Sequence, residues 1–145
     1  MLLRKAERRF NLETADYGRL AAFRQGLREF LRFSEEAAEH AGISAQHYQA
    51  LLILRACPEG RITTINDLAQ QLLIKHNSAV GLVDRLVKEG LARRKPSATD
   101  RRTVELQLTA RGRTLLSKLA EMHRSELERI GPELKRLIAD VLRTG

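Results

Sequence analysis

Apolar residues recur along most of this chain at spacings of three and four, the period of a helix with one buried face. From Glu13 to about His40, the series Leu20, Phe23, Leu27, Phe30, Leu31, Ser34 and Ala38 predicts one long amphipathic helix, far above the usual length of about 11 to 12 residues. Gly42 stops it. Ser44 is placed to cap a second helix, with Ile43 before it as a staple and Tyr48, Leu51, Leu52 and Leu54 following. The breaker cluster Cys57-Pro58-Glu59-Gly60 ends that helix. A capping-box pair, Thr64 and Asp67, then opens a short helix running to Leu73, with Leu68, Ala69 and Leu72 on its apolar side.

From Asn77 to Glu89 the pattern separates into two faces when each residue is turned 100° from the last. Ala79, Val80, Leu82, Val83, Leu86 and Val87 lie together, whereas Asn77, Ser78, Gly81, Asp84, Arg85 and Lys88 share an arc of roughly 120° on the other side. One face packs and the other is free to touch a partner. Gly90 suits a left-handed cap, and Leu91 to Lys95 and Thr103 to Leu108 read as strands of a hairpin with a basic tip at Pro96 to Arg102. Arg61-Ile62-Thr63 is short and β-prone, a candidate third strand. Thr109 caps a second long helix bearing Leu115, Leu116, Leu119, Met122 and Leu127, which Gly131-Pro132 is expected to break. Pro132 would then open a final helix with the stripe Leu134, Leu137, Ile138, Val141 and Leu142.

These elements predict a mainly α fold with a small β-hairpin wing: a winged helix-turn-helix in one domain of residues 1–145. Residues 44–113 would form the reader, and the helices at about 10–42 and 115–143 would bury their uncovered apolar faces against a second copy. A polar-faced helix fits the major groove of B-DNA, and an arginine on a hairpin fits a narrow minor groove. Charge supports a polyanionic partner: the net charge is +8 over 145 residues. Leu91 to Arg113 alone carries seven basic side chains, Arg93, Arg94, Lys95, Arg101, Arg102, Arg111 and Arg113, against Asp100 and Glu105. A single cysteine leaves no internal disulfide framework. The segment MLLRKAERRF lacks the apolar core of a signal peptide, and no run reaches the ~18 apolar residues of a membrane span, so the cytoplasm is the expected compartment. Nothing marks an enzyme: no Gly-rich phosphate loop, nucleophile elbow or metalloprotease helix is present, and no cofactor is called for.

Three stretches carry a family likeness. They are Thr64-Ile65-Asn66-Asp67-Leu68-Ala69; Ser78-Ala79-Val80-Gly81-Leu82-Val83-Asp84-Arg85-Leu86 with Lys88-Glu89-Gly90-Leu91; and Asp100-Arg101-Arg102 followed by Leu108-Thr109-Ala110-Arg111-Gly112. In these the chain resembles the multiple-antibiotic-resistance regulator (MarR) family of bacterial winged-helix transcription factors, over about residues 13 to 143. The resemblance implies a homodimer on a pseudo-palindromic double-stranded operator, with repression as the expected mode and a small-molecule effector that weakens binding. Three rivals are a nonspecific or architectural DNA-binding protein, an RNA-binding winged helix, which would usually use aromatic stacking that this basic stretch lacks, and a regulator controlled by a protein partner. Two features depart from the family: Lys75 stands where a small capping residue is common, and Gly81 sits inside the recognition helix, at a cost of about 1 kcal/mol against Ala.

On this reading Lys75, His76, Asn77, Ser78, Gly81 and Arg85 form the recognition surface, and Arg93, Arg94, Asp100, Arg101 and Arg102 the wing contacts. Arg102, the arginine of Asp100-x-Arg102, is the expected minor-groove finger, and Asp100 the group that steadies it. Arg93, Arg94 and Arg111 are phosphate candidates. Asp84 is expected to pair with Lys88 one turn on. Phe30, Phe33, His47, Tyr48 and Leu51 are candidates for the effector pocket that the family places between dimerisation helices and reader, though the same residues suit a plain core. Cys57 lies near the end of the second helix, whereas relatives that sense peroxide carry their cysteine in the first, so it is read as structural. His40, His47, His76 and His123 offer no i, i+4 pair, and no metal site is expected.

Overall fold

The computed structural model describes residues 12–58, 61, 63–98 and 102–143. Seven elements follow in order: α1 (Thr14–His40), α2 (Ala45–Ala56), α3 (Ile65–Leu72), α4 (His76–Lys88), β1 (Ala92–Pro96), β2 (Val104–Leu108) and α5 (Ala110–Leu142). The contacts divide into two compact units, one joining the residues up to Phe33 with those from Arg124 on, the other running from Ser34 to His123.

In the second unit, α3 packs on α4, α4 on β1, and α2 on both α3 and β2. Leu51, Val83, Leu86, Leu91 and Leu119 are among the side chains almost wholly removed from water, each contributing on the order of 1.5–3 kcal/mol. One patch of this core is polar. Tyr48 stacks on His123 with ring centroids 4.1 Å apart. The His123 ring faces the Leu119 carbonyl through Nδ1 at 2.6 Å and the Ser34 hydroxyl through Nε2 at 2.8 Å, so Nδ1–H donates and Nε2 accepts.

The expected Thr64–Asp67 capping box forms, and the expected Ser44 cap is itself a capping box with His47. The Ser44 hydroxyl accepts from the His47 amide at 3.1 Å, and His47 Nδ1 accepts from the Ser44 amide at the same distance. Thr64 and Asp67 make the equivalent exchange at 2.9 and 3.2 Å. Three helices end in the same double bond of a Schellman cap, with left-handed residues at Gly42 (φ 82°), Leu73 (φ 56°) and Gly90 (φ 71°). Two of these are the glycines that the local geometry favours. The third is a leucine.

β1 and β2 pair antiparallel, Ala92 opposite Leu108 and Pro96 opposite Val104. The Leu106 amide also donates to the Thr63 carbonyl at 2.8 Å, but the described residues hold two strands; Ile62, the middle of the expected third, lies outside them. Thr109 then locks α5 to the base of the wing. Its amide donates to the Leu91 carbonyl at 3.1 Å, its hydroxyl to the Gly90 carbonyl at 2.6 Å, and the same hydroxyl accepts from the Gly112 amide at 3.0 Å. A Cβ on Gly112 would lie 2.0 Å from the Leu91 carbonyl oxygen, so only glycine fits there.

One boundary differs from expectation. Gly131-Pro132 does not break the helix: α5 continues to Leu142 with Pro132 inside it. A mid-helix proline removes one hydrogen bond and crowds the preceding turn. Here the far half of the helix is held by its packing. Leu134 and Leu137 press on Gly26 of α1, where an added Cβ would come within 2.9 Å of Leu137. The pairs Arg129–Glu126 (2.6 Å) and Arg136–Glu133 (2.5 Å) brace the turns on either side of the proline, although such exposed pairs add only tenths of a kcal/mol.

Candidate nucleic-acid interface

The site begins at the turn between α3 and α4. Leu73 adopts the left-handed conformation with its side chain 92% exposed, and the Ile74 amide closes back onto the Ala69 carbonyl at 3.0 Å. α4 therefore starts abruptly. Its N-cap, Lys75, is extended and offers no side-chain acceptor, so the first amides of α4 face outward without a capping side chain. Ala79, Leu82, Val83 and Leu86 are buried. Asn77, Ser78 and Arg85 are exposed, as the two-faced pattern predicts, Lys75 and His76 are exposed before them, and Gly81 is half-buried. Nothing lies within 4 Å of a Cβ built on Gly81, so the helix there presents bare backbone to whatever approaches.

The wing adds cations beside this helix. Arg93, Arg94, Lys95 and Arg102 are all exposed. Arg93 donates to the Gln107 side-chain oxygen through Nε (3.1 Å) and Nη2 (2.9 Å), cross-strand from its register partner. Asp84 forms its ion pair with Arg94 on β1 instead of with Lys88. Strand alternation explains the change: Arg94 sits on the same face of β1 as buried Ala92, the side turned to α4, and so meets Asp84 directly. Arg94 is thereby a strut between recognition helix and wing. Asp100 and Arg101 lie outside the described residues. The Ser97 amide donates to the Thr103 carbonyl at 2.9 Å, closing the described base of the hairpin tip.

The remaining candidates separate. Phe30 and Phe33 fall in the first unit, Phe30 on the wall of a groove of about 440 Å³ between α1 and α5. His47, Tyr48 and Leu51 fall in the second unit and are buried in its core. Burial pushes the His47 imidazole below its ordinary value, with Glu89 opposing and Arg85 adding to the shift. Its Nε2 is buried with no hydrogen-bond partner among the described residues. Cys57 is half-buried, and its thiol donates to the Arg61 carbonyl at 3.3 Å. No three His, Cys, Asp or Glu side chains among the described residues are grouped to hold a metal ion, and no described helix is long and apolar enough to cross a membrane. Sequence reasoning missed Leu73, because nothing in an apolar residue signals a left-handed turn, and the Asp84–Arg94 strut, which only strand register reveals.

A short helix packed under an outward-facing polar helix, with a two-stranded hairpin beside it, is a winged helix-turn-helix. Residues 41–103 match the model of the MarR family. Its relatives include the HTH-type transcriptional regulator PecS of Dickeya dadantii, 31% identical over 81 residues, which cover 56% of this chain and 49% of that protein. The chain spans about half the length of the curated relatives it matches. Among solved structures it is similar to RV1404 from Mycobacterium tuberculosis, 27% identical with TM-score 0.67 over 84% of this chain and 82% of that one. It is also similar in fold to the S. aureus MepR–DNA complex, 21% identical with TM-score 0.63 over 82% of this chain and 97% of that one.

Proposed function

We propose that this chain is a sequence-specific double-stranded DNA-binding transcriptional regulator that acts as a homodimer, represses from a pseudo-palindromic operator and releases it when a small ligand binds. The observation that carries the DNA reading is the polar face of α4, with Asn77, Ser78 and Arg85 exposed and Gly81 half-buried between them, standing beside a wing that exposes Arg93, Arg94, Lys95 and Arg102. Asn and Ser are groups that hydrogen-bond base edges in the major groove, and Gly81 lets the helix backbone sit close to them. The uncapped amides at the start of α4, with Lys75, suit a backbone phosphate. MepR, a fold relative, is known bound to DNA. Arg102 on the wing is assigned to the minor groove. Ligand response, repression and a cytoplasmic location rest on the family resemblance.

The test is fluorescence anisotropy on an operator duplex and on random duplex at one salt concentration. Asn77→Ala and Ser78→Ala are each expected to weaken operator binding by about 1–3 kcal/mol while leaving random-duplex binding nearly unchanged. Equal losses on both duplexes would mean that the chain binds DNA without reading it.

A further inference from the structure

Away from the polar face of α4, the end of α2, the strand β2 and the first turn of α5 enclose an open cleft of about 440 Å³. Three arginines line it, Arg55 and Arg61 from the end of α2 and just beyond, and Arg113 from α5, against one carboxylate, Glu105. The carboxylate is held by a neighbour on the same wall. It accepts from the Gln107 amide at 2.6 Å, and Gln107 in turn accepts from Arg93. None of the three arginines has an ion-pair partner among the described residues, in contrast to Arg94, Arg129 and Arg136. Arg55 has a local reason for its place, since a cation at the last turn of α2 complements the helix dipole. Arg113 has the opposite: it stands in the first turn of α5, where the dipole disfavours a cation and no acidic residue offsets it. Arg61 is held at the cleft by its backbone, its amide donating to Pro58 at 3.1 Å and its carbonyl accepting from the Cys57 thiol at 3.3 Å.

Three arginines around one cleft against a single carboxylate, none of them ion-paired among the described residues and one of them misplaced for its own helix, make a site for an oxyanion, because planar guanidinium forks match phosphate and carboxylate oxygens in pairs. We infer that the Arg55–Arg61–Arg113 cleft binds a small phosphate-bearing anion. Pyrophosphate binding is measured on DNA-free protein, so it stands or falls apart from DNA recognition.

Cys57 lines the same cleft and is the chain's one cysteine, so maleimide labelling reads a single residue at the site. Pyrophosphate, titrated at constant ionic strength with chloride as the balancing salt, is expected to slow labelling by an uncharged maleimide saturably, by about tenfold at ten times its dissociation constant. The double variant Arg61→Gln/Arg113→Gln should fold, as circular dichroism would verify, and lose the protection; Arg55→Gln alone should raise the pyrophosphate concentration needed. A slowing that follows ionic strength alone, or one kept by the double variant, overturns the proposal. So does protection by an operator duplex but not by pyrophosphate, since the arginines would then belong to the contact with the DNA backbone.

Discussion

Leu73 carries the plainest local conflict in the chain. A left-handed backbone costs an L-residue with a Cβ on the order of 1–2 kcal/mol, and glycine fills the same cap at Gly42 and Gly90. With its side chain 92% exposed, Leu73 recovers none of that through burial. Leu73→Gly is therefore expected to raise the unfolding free energy by about 1 kcal/mol in urea titration. No change would mean that the turn is not strained. His47 makes a different compromise. Its neutral Nδ1 completes the α2 capping box while desolvation lowers its proton affinity. A histidine whose folded pKa is depressed gives stability that is present above the unfolded value of 6.5 and lost as pH falls through the folded value. The urea midpoint should accordingly drop between pH 7.5 and pH 5 by more in wild type than in His47→Gln, which keeps an acceptor for the Ser44 amide without a titrating group. Parallel pH profiles for the two proteins would rule His47 out as the source.

At the level of elements, sequence reading succeeds where the signal is local and fails where it is set by a neighbour. The Ser44 cap, the Thr64–Asp67 box, the hairpin, Gly90 and the Thr109 cap are legible because each is fixed by residues close in sequence. Pro132 misleads because a breaker is a statement about an isolated helix, whereas Leu134 and Leu137 are anchored against Gly26 more than a hundred residues away. Asp84 misleads in the same way: the i, i+4 partner Lys88 is visible in sequence, and the cross-element partner Arg94 is not. The polar face of α4 is legible from its helical period, whereas the cleft, which brings Arg113 of α5 to Arg55 and Arg61 near the end of α2, is not. The strut yields a test with opposite outcomes. Asp84 is an acidic group on the face of α4 assigned to DNA, so if it only repelled phosphate, Asp84→Asn would tighten binding. If it holds the wing through Arg94, the same change should weaken operator binding several-fold, within the 1–3 kcal/mol typical of such contacts, when anisotropy is measured at matched salt.

For the whole molecule, the uncovered apolar surface decides the question of assembly. On α1, Tyr17, Leu20, Leu27 and Leu31 are 39–60% exposed and fall on one helical stripe. On α5, Leu127, Ile138 and Leu142 form another, with Leu142 77% exposed. Exposed apolar residues scattered singly are ordinary, but two aligned stripes on the longest helices are not. A two-fold dimer would bury them and present two copies of α4 to successive major grooves, about one helical turn of DNA apart. Sedimentation equilibrium at micromolar concentration is expected to show a dimer, and Leu27→Glu/Leu31→Glu, which places two charges in the α1 stripe, to show a monomer of unchanged helix content. Because each monomer then holds a single half-site, its operator affinity should fall by far more than its affinity for an isolated half-site duplex, the loss reflecting effective concentration and not contact. A wild-type monomer, or a charged variant that still sediments as a dimer, would move the interface off these helices.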